Sequence, residues 1–423
     1  MNMQTQAAPD PQRRVSPSDL LPVEAARALI VSAMPTMGAE RVAIPDAIGR
    51  VLAADVTARV SHPPAAVSAM DGYACRAADI AALPVQLRRI GVSKAGAAHD
   101  GSLAAGECVR IFTGARVPDG ADVICLQEDA VERDGIVQIS GAASAGQFIR
   151  PAGMDFAQGQ VCVAGGHALT ARDLGVIASC GHATIEVRRK PRIAILSTGD
   201  ELLAPGAAPG GADRIMASNG IALSGAVHCW GGQQIDLGIA PDRIEAIGDA
   251  VGAAAGADLL VTTGGASVGD HDLVHAALTA RGFVTDFHKI AMRPGKPLMF
   301  GRLGGMPVLG MPGNPVSALV CALLFMRPAL RAMLGLPQTG PTFARAVLAS
   351  AMPANDRRED YARARLTQDA NGRLVAEPFP RQDSGMALTL ARADGLIRRA
   401  PFAPPAGPEE EVQVIDLAQC DGF

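Results

Sequence analysis

A chain of 423 residues with 48% hydrophobic residues has the length for two to four domains and the apolar content for a substantial core. Its formal net charge of −4 excludes a general nucleic-acid or membrane-surface role, which wants a basic excess, while leaving room for a local site that takes a small anion. The cysteines form no CxxC pair and sit mostly among apolar neighbours, the pattern of buried thiols in a reducing compartment.

Residues 1–20 read as a disordered polar tail, with no apolar stretch followed by a small-residue cleavage site. The longest apolar run, Ala318 to Met326, falls well short of the roughly 20 residues a membrane span needs, so the expectation is a soluble, cytoplasmic protein. Residues 22–35 have the period of an amphipathic helix. From about 60 to 149, short apolar runs broken by Gly, Pro and Asp (LPVQLRRIGV, GECVRIFTG, ADVICLQEDAV, GIVQIS) predict a small β domain. Residues 169–180 return to helix, and ATIEVRRKP reads as a strand.

Between 191 and 336 strand and helix alternate. PRIAILS, QQIDLGI, DLLVTTGG, FVTDFHKIAM, PLMFGRL and MPVLGMPG read as strands. SNGIALSGAVHCWG, DRIEAIGDAVGAAAG, DHDLVHAALTARG and NPVSALVCALLFMRPALRAMLG read as helices. Such alternation implies a mostly parallel sheet covered on both faces. Residues 340–420 turn to short strands again (TFARAVLA, YARARLTQ, RLVAEPFP, EEVQVIDL), the pattern of a small barrel or sandwich.

Three loops follow apolar strands, where open α/β sheets bind ligands and helix N-termini favour anions. Ser197-Thr198-Gly199-Asp200-Glu201 fits an acidic helix cap as well as a binding loop. Thr262 to Asp272 (TTGGASVGDHD) holds Gly264, Gly265 and Gly269, which let backbone approach a phosphate. Its carboxylates at Asp270 and Asp272 would repel that phosphate unless a cation such as Mg²⁺ sits between. The plainer reading is a Gly-rich turn with an N-cap aspartate. Met311 to Ser317 (MPGNPVS) places Asn314 to cap the last helix with Pro315 at its first position. In Lys289-Ile-Ala-Met-Arg293-Pro-Gly-Lys296, Lys289 and Arg293 share a face on an extended strand, and the Pro-Gly turn can return Lys296 beside them. That makes a local anion site, or else a basic edge that discourages strand pairing. His271 and His275 have the spacing of a zinc helix, but Asp272 replaces the glutamate of HExxH, and no zinc is expected.

In the β domain, SAMDGYA (68–74), RIFTGA (110–115), VPDGAD (117–122) and RPAGMD (150–155) read on their own as turns punctuated by Gly and Asp.

Taken in order, SAMDGYA, RIFTGARVPDGAD, STGDEL, TTGGASVGDHD, MRPGKP and MPGNPVSA resemble the molybdopterin molybdenumtransferase family, which includes the bacterial molybdenum-insertion enzyme and the E domain of gephyrin. DYARARL and SGMALTLARADGLI look familial too, so the resemblance spans roughly residues 20 to 420. It implies a multidomain α/β plus β fold. An elongated N-terminal domain (1–60 and 150–189) carries an inserted β domain (61–149). A central, mostly parallel α/β molybdopterin-binding domain (190–338) is followed by a C-terminal β-barrel-like domain (339–423).

The resemblance further implies a homodimer whose cleft joins one subunit's α/β domain to the other's β domain. The reaction it implies takes adenylyl-molybdopterin and molybdate, releases AMP and yields molybdenum cofactor with Mg²⁺. On this reading Asp200, Glu201, Asp242, Asp272, Asp71, Thr113 and Asp155 are catalytic. Glu201, Asp242, Asp270 and Asp272 hold the metal. Ser197, Thr198, Gly199, Asn219, Gly264, Gly265, Ser267, Pro312, Gly313, Asn314, Pro315 and Ser317 cradle the pterin phosphate, and Lys289, Arg293 and Lys296 bind oxyanions. Arg293 stands where relatives often have lysine, a planar fork in place of a point charge, and Ala266 where they often have valine. Transient contact with the molybdopterin adenylyltransferase and molybdoenzyme maturation factors follows; nucleic acid and membrane do not. The alternatives are a molybdopterin adenylyltransferase, which shares the α/β module, and a gephyrin-like scaffold.

Overall fold

The structure, a computed structural model, describes residues 20–208, 210–265, 272–337, 340–420 and 422–423. The chain divides into two compact units: one runs to Ala39 and resumes at Arg188, the other spans Glu40–Val187.

In the larger unit six strands form one sheet: β1 (Arg192–Thr198), β2 (Gln233–Ala240), β3 (Leu259–Thr263), β4 (Phe283–Phe287), β5 (Met299–Leu303) and β6 (Met306–Met311). Their order is β2-β1-β3-β6-β5-β4. Pairings among β2, β1, β3 and β6 are parallel, and β5 and β4 add an antiparallel edge. Ile193, Ala194, Ile195 and Leu196 are all buried, as a strand covered on both faces requires. Four helices cover the sheet: α1 (Asn219–Cys229), α2 (Ile244–Gly252), α3 (Leu273–Ala280) and α4 (Pro315–Met333). Because β1 leads through α1 to β2 on one side, and β2 leads through α2 to β3 on the other, the strand order reverses at β1. That switch point is where α/β sheets open a crevice at their carboxyl ends.

Helix α4 is longer than its uninterrupted apolar run suggested. By length and composition it could cross a membrane, yet most of it is buried in the core, as a helix apolar on all sides must be. Ala322–Met326 forms a π-helical stretch. Pro328 explains it, since its ring would clash with the carbonyl of Leu324 in a regular helix and it offers no N–H. Helix Val23–Ala33 buries Ala26 and Ile30 in the same cluster as α4.

Strands Glu359–Gln368, Leu374–Pro378, Ala344–Leu348, Glu411–Asp416 and Gly395–Arg399 pair in that order, and the last pairs back to the first, closing a barrel. FVTDFHKIAM departs from expectation. Its strand ends at Phe287, Leu21 N–H takes the Lys289 carbonyl (3.2 Å), and Met292–Arg293 pairs with Glu359–Gln368 in the barrel sheet instead.

In the smaller unit six strands pair in the order Val123–Leu126, Gly72–Cys75, Glu107–Ile111, Val85–Ser93, Ile136–Ile139, Ala130–Arg133. Cys75, Cys108 and Cys125 are buried among Leu87, Val123 and Val137, as small apolar-like thiols. Helix Ala171–Ser179 starts at a capping box of Thr170 and Asp173.

Candidate functional site

The loops after β1, β3 and β6 converge, because those three strands are parallel and adjacent. Between them lies a cleft of about 710 Å³. Its walls include Ser197, Thr198, Glu201, Asn219, Gly264, Gly265, Pro312, Gly313, Asn314, Pro315 and Ser317, so most of the expected phosphate cradle is brought to one place. Asn219 and Pro315 are the first residues of α1 and α4, so two helix N-termini meet the cleft wall, which favours an anion.

The loops are locked to each other. Asn219 Nδ2 donates to Thr263 Oγ1 (2.9 Å) and to the Gly313 carbonyl (2.7 Å), and Thr263 Oγ1 donates to the Pro312 carbonyl (3.3 Å). The amide of Asn219 thus positions the cradle. Gly264 has φ +95, and a Cβ there would stand 2.1 Å from the Thr198 carbonyl oxygen. Only glycine lets the β3 loop lie this close to the β1 strand end. Thr198 Oγ1 is buried beside it with no hydrogen-bond partner among the described residues.

Asn314 sits at the N-cap position of α4, but its side chain does not cap; Nδ2 donates to Ser384 Oγ (3.0 Å) and ties the loop to the C-terminal region. The N–H of Val316 is taken by the Ser384 carbonyl (3.1 Å) in place of the expected cap.

The acidic residues split into two groups. Asp200 N–H donates to Asp242 Oδ2 (3.3 Å) and Asp242 N–H to Asp200 Oδ1 (3.1 Å), pinning the β1 loop to the end of β2. Asp242 Oδ1 is buried without a hydrogen-bond partner among the described residues. Glu201 folds back, its Oε2 within 2.6 Å of where a Cβ on Gly199 would stand. Asp272 caps α3 by accepting from His275 N–H (2.8 Å), as the plainer reading of that loop expected. His288 Nε2 stands 2.9 Å from Asp272 Oδ2, yet that oxygen is buried without an aligned hydrogen bond. His288 also stacks on His275, centroids 5.0 Å apart, and His275 Nε2 meets Thr285 Oγ1 at 2.9 Å. Burial lowers the His275 pKa, with the neighbouring His288 adding to the effect. Among the described residues no three acidic, His or Cys side chains form a cluster able to hold a metal. The expected ligand Asp270, and with it Ser267 and His271, lies outside the described residues.

The cations correct the expectation most. Lys289 and Arg293 share no strand face, because the chain leaves the sheet at Phe287. Arg293 donates to Asp360 Oδ2 (2.7 Å) and Asn355 Oδ1 (3.0 Å), with Asp356 at 3.5 Å. Its planar fork is spent on the barrel, and the hydrogen bond to Asp360 raises its pKa. Lys296 lines a separate hollow of about 560 Å³ with Asp356, Arg357 and Arg358, while its neighbour Pro297 lines the main cleft. No described Lys or Arg lines the main cleft, so its attraction for anions comes from backbone N–H groups and helix ends. Gly199, Asp200, Asp242, Asp272 and Lys289 are likewise absent from its described walls.

In the smaller unit Asp71 Oδ1 accepts from Thr113 N–H and Thr113 Oγ1–H, both at 2.8 Å. The backbone bond, then the hydroxyl, hold its carboxyl below the usual range. Asp155 lines a hollow there with Arg116 and Arg150. Sequence reading missed the apolar wall of the main cleft, Leu202, Ile215 and Met216, and the barrel-side residues Gly385 and Ala387. Nothing in their local pattern marks them, since only the closed tertiary structure brings them to the cleft.

The chain matches three family models: the MoeA N-terminal region (domain I and II) over residues 21–181, a probable molybdopterin binding domain over 194–332, and the MoeA C-terminal region (domain IV) over 345–417. It is 35% identical over 386 residues to molybdopterin molybdenumtransferase 2 of Mycobacterium tuberculosis (strain ATCC 25618 / H37Rv), covering 89% of this chain and 94% of that one. It is 35% identical over 325 residues to the molybdopterin molybdenumtransferase of Haemophilus influenzae, covering 75% and 79%. A crystal structure of a molybdopterin biosynthesis moeA protein from Pyrococcus horikosii superposes with TM-score 0.84 at 30% identity, covering 94% of this chain and 99% of that one.

Proposed function

This chain belongs to the molybdopterin molybdenumtransferase family, and from that premise we propose how its cleft works. The chain is a transferase of molybdenum-cofactor biosynthesis that carries out molybdenum insertion. On our reading its substrates are adenylyl-molybdopterin and molybdate, and its products are AMP and molybdenum cofactor. The observation that carries this is the cleft at the ends of β1, β3 and β6, where glycine backbone and two helix N-termini face one space.

In this reading the pterin phosphate lies against Gly264, Gly265 and Gly313, where backbone can approach closely. Leu202, Ile215 and Met216 give a flat ring an apolar wall. Lys296, with Lys289, draws molybdate to the hollow beside Pro297. As AMP leaves, a water oxygen bonds to its phosphorus while the bond from that phosphorus to the bridging oxygen breaks; the bridging oxygen stays on the pterin phosphate, which the cradle keeps in place. The buried Oδ1 of Asp242, which has no hydrogen-bond partner among the described residues, and Oδ2 of Asp272, which His288 approaches without an aligned hydrogen bond, fit a divalent cation that keeps some of its water. Those residues, with Glu201 and Asp270, would hold Mg²⁺, which would supply positive charge to the pyrophosphate link.

We further propose a cytoplasmic homodimer in which Asp71, Thr113 and Asp155 of one subunit complete the cleft of the other, with the four-part division at residues 1–60 with 150–189, 61–149, 190–338 and 339–423. Contact with the adenylyltransferase that makes the substrate, and with maturation factors that take the product, fits this place in the sequence of reactions. Supplying ATP with free molybdopterin, or adenylyl-molybdopterin with molybdate, tests the reaction. Turnover of the second pair alone supports it; turnover of the first pair alone, or of neither, overturns it.

A further inference from the structure

Between barrel strands Gly395–Arg399 and Glu411–Asp416 the chain runs through Ala400-Pro401-Phe402-Ala403-Pro404-Pro405. Two features of Phe402 are unfavourable and serve no packing. Its ring is 75% exposed, and its backbone has φ +56, a region that bulky side chains rarely enter. Such a conformation persists only where the surroundings over-determine it. Phe402 N–H donates to the Asp356 carbonyl (2.8 Å) and Ala403 N–H to the Ala400 carbonyl (3.1 Å). Asn355 N–H donates to the Ala403 carbonyl (2.9 Å), and its Nδ2 to the carbonyls of Ala400 (2.8 Å) and Arg399 (3.1 Å). Arg293 Nη2 in turn donates to Asn355 Oδ1 (3.0 Å), so the fork that the sequence assigned to an oxyanion braces this turn. A proline-rich loop, an asparagine and an arginine thus hold one exposed ring still.

That ring lines the hollow of Lys296, together with Leu20, Asp356, Arg357 and Arg358. The hollow therefore offers a flat aromatic face beside a net positive charge. The reading above draws molybdate to these cations. Molybdenum ends on the dithiolene sulfurs of molybdopterin, and the dithiolene sits on a ring fused to the pterin, so metal transfer here brings the pterin ring to the same hollow. Flat conjugated rings stack on an aromatic face with an offset. The substrate carries a second flat ring, adenine, and the main cleft has a second apolar wall in Leu202, Ile215 and Met216. Pro297 lines that cleft and its neighbour Lys296 lines this hollow, so the two spaces adjoin and one extended substrate reaches both.

We propose that Phe402 is the stacking platform for the pterin ring and a specificity determinant for it, leaving the wall of the main cleft to adenine. The proposal rests on the insertion reading above. The test is anaerobic titration calorimetry of the full chain with free molybdopterin and, separately, with AMP, with melting temperature measured alongside. Phe402→Gly should keep or raise Tm, because glycine enters this φ freely. It should weaken molybdopterin binding about tenfold, the scale of one lost ring stack, and leave AMP binding as it was. Phe402→Leu, apolar but without a flat face, should lose as much; Phe402→Tyr should bind molybdopterin within about twofold of the unaltered chain. Unchanged molybdopterin affinity in Phe402→Gly, or full affinity in Phe402→Leu, would overturn the proposal and leave the insertion reading standing. An equal loss of AMP binding would overturn it by giving the ring to adenine. An unaltered chain that binds no molybdopterin would overturn both readings.

Discussion

Replacing Gly264 with alanine would set a methyl group 2.1 Å from the carbonyl oxygen of Thr198 and 3.1 Å from its Oγ1. The first distance is about 1 Å inside ordinary contact, and what it meets is backbone, which cannot swing aside as a side chain can. The positive φ adds roughly 1–2 kcal/mol of strain for any L side chain. The β3 loop must therefore move by about 1 Å away from the end of β1. A misplacement of that size at a substrate-positioning element costs on the order of 100-fold in rate. Gly264→Ala should accordingly lose about two decades in kcat/KM for AMP release. The strain alone lowers Tm by only a few degrees. Gly304→Ala is the control, since Gly304 also has positive φ (+60) but nothing lies within 4 Å of its added methyl. It should match the loss of Tm and keep full turnover. Turnover of Gly264→Ala within about twofold of the unaltered chain would refute the close-approach argument.

Asp272→Asn keeps a capping oxygen for His275 N–H, so the fold should melt normally, while AMP release at limiting Mg²⁺ should be abolished; near-normal release would remove Asp272 from the metal site. Arg293→Ala should lower Tm by a few degrees, about 1 kcal/mol after screening of a partly exposed pair, and leave the molybdate dependence where it was. Lys296→Ala should do the reverse, raising the molybdate concentration at half-maximal rate with Tm unmoved. A molybdate shift in Arg293→Ala would restore that residue to the oxyanion site. Asp71→Ala and Asp272→Ala, each inactive alone, should recover about half of normal activity when co-expressed with different tags and purified as a mixed dimer, because one cleft collects both lesions and the other neither; a mixed dimer as inactive as its parents would exclude the shared cleft.

The α/β sheet was legible because its strands are buried on both faces and therefore read as unbroken apolar runs, PRIAILS and DLLVTTGG above all. The three loops were legible for a related reason: glycine, proline and hydroxyls cluster where such a run stops. What escaped depends on contacts distant in sequence. Gly72–Cys75 reads as part of a turn from its Asp-Gly composition. It is instead a strand held between two others, so close that a Cβ on Gly72 would meet the Cys125 carbonyl at 1.9 Å. Asn314 reads as a cap until Ser384, far along the chain, takes its amide. Arg293 reads as a free cation until Asp360 and Asn355 claim its fork. Strand Gly395–Arg399 has no strand signature within SGMALTLARADGLI, because closing the barrel, more than local pattern, makes it a strand.

The central claim is that one cleft couples loss of the adenylyl group to insertion of molybdenum. The direct measurement is a single-turnover reaction of the purified chain with adenylyl-molybdopterin, molybdate and Mg²⁺, with AMP and pterin-bound molybdenum quantified in the same sample. The account predicts that the two appear together, one for one, and that omitting molybdate holds back both. Molybdenum inserted without release of AMP, or AMP released with no molybdenum inserted, would contradict it.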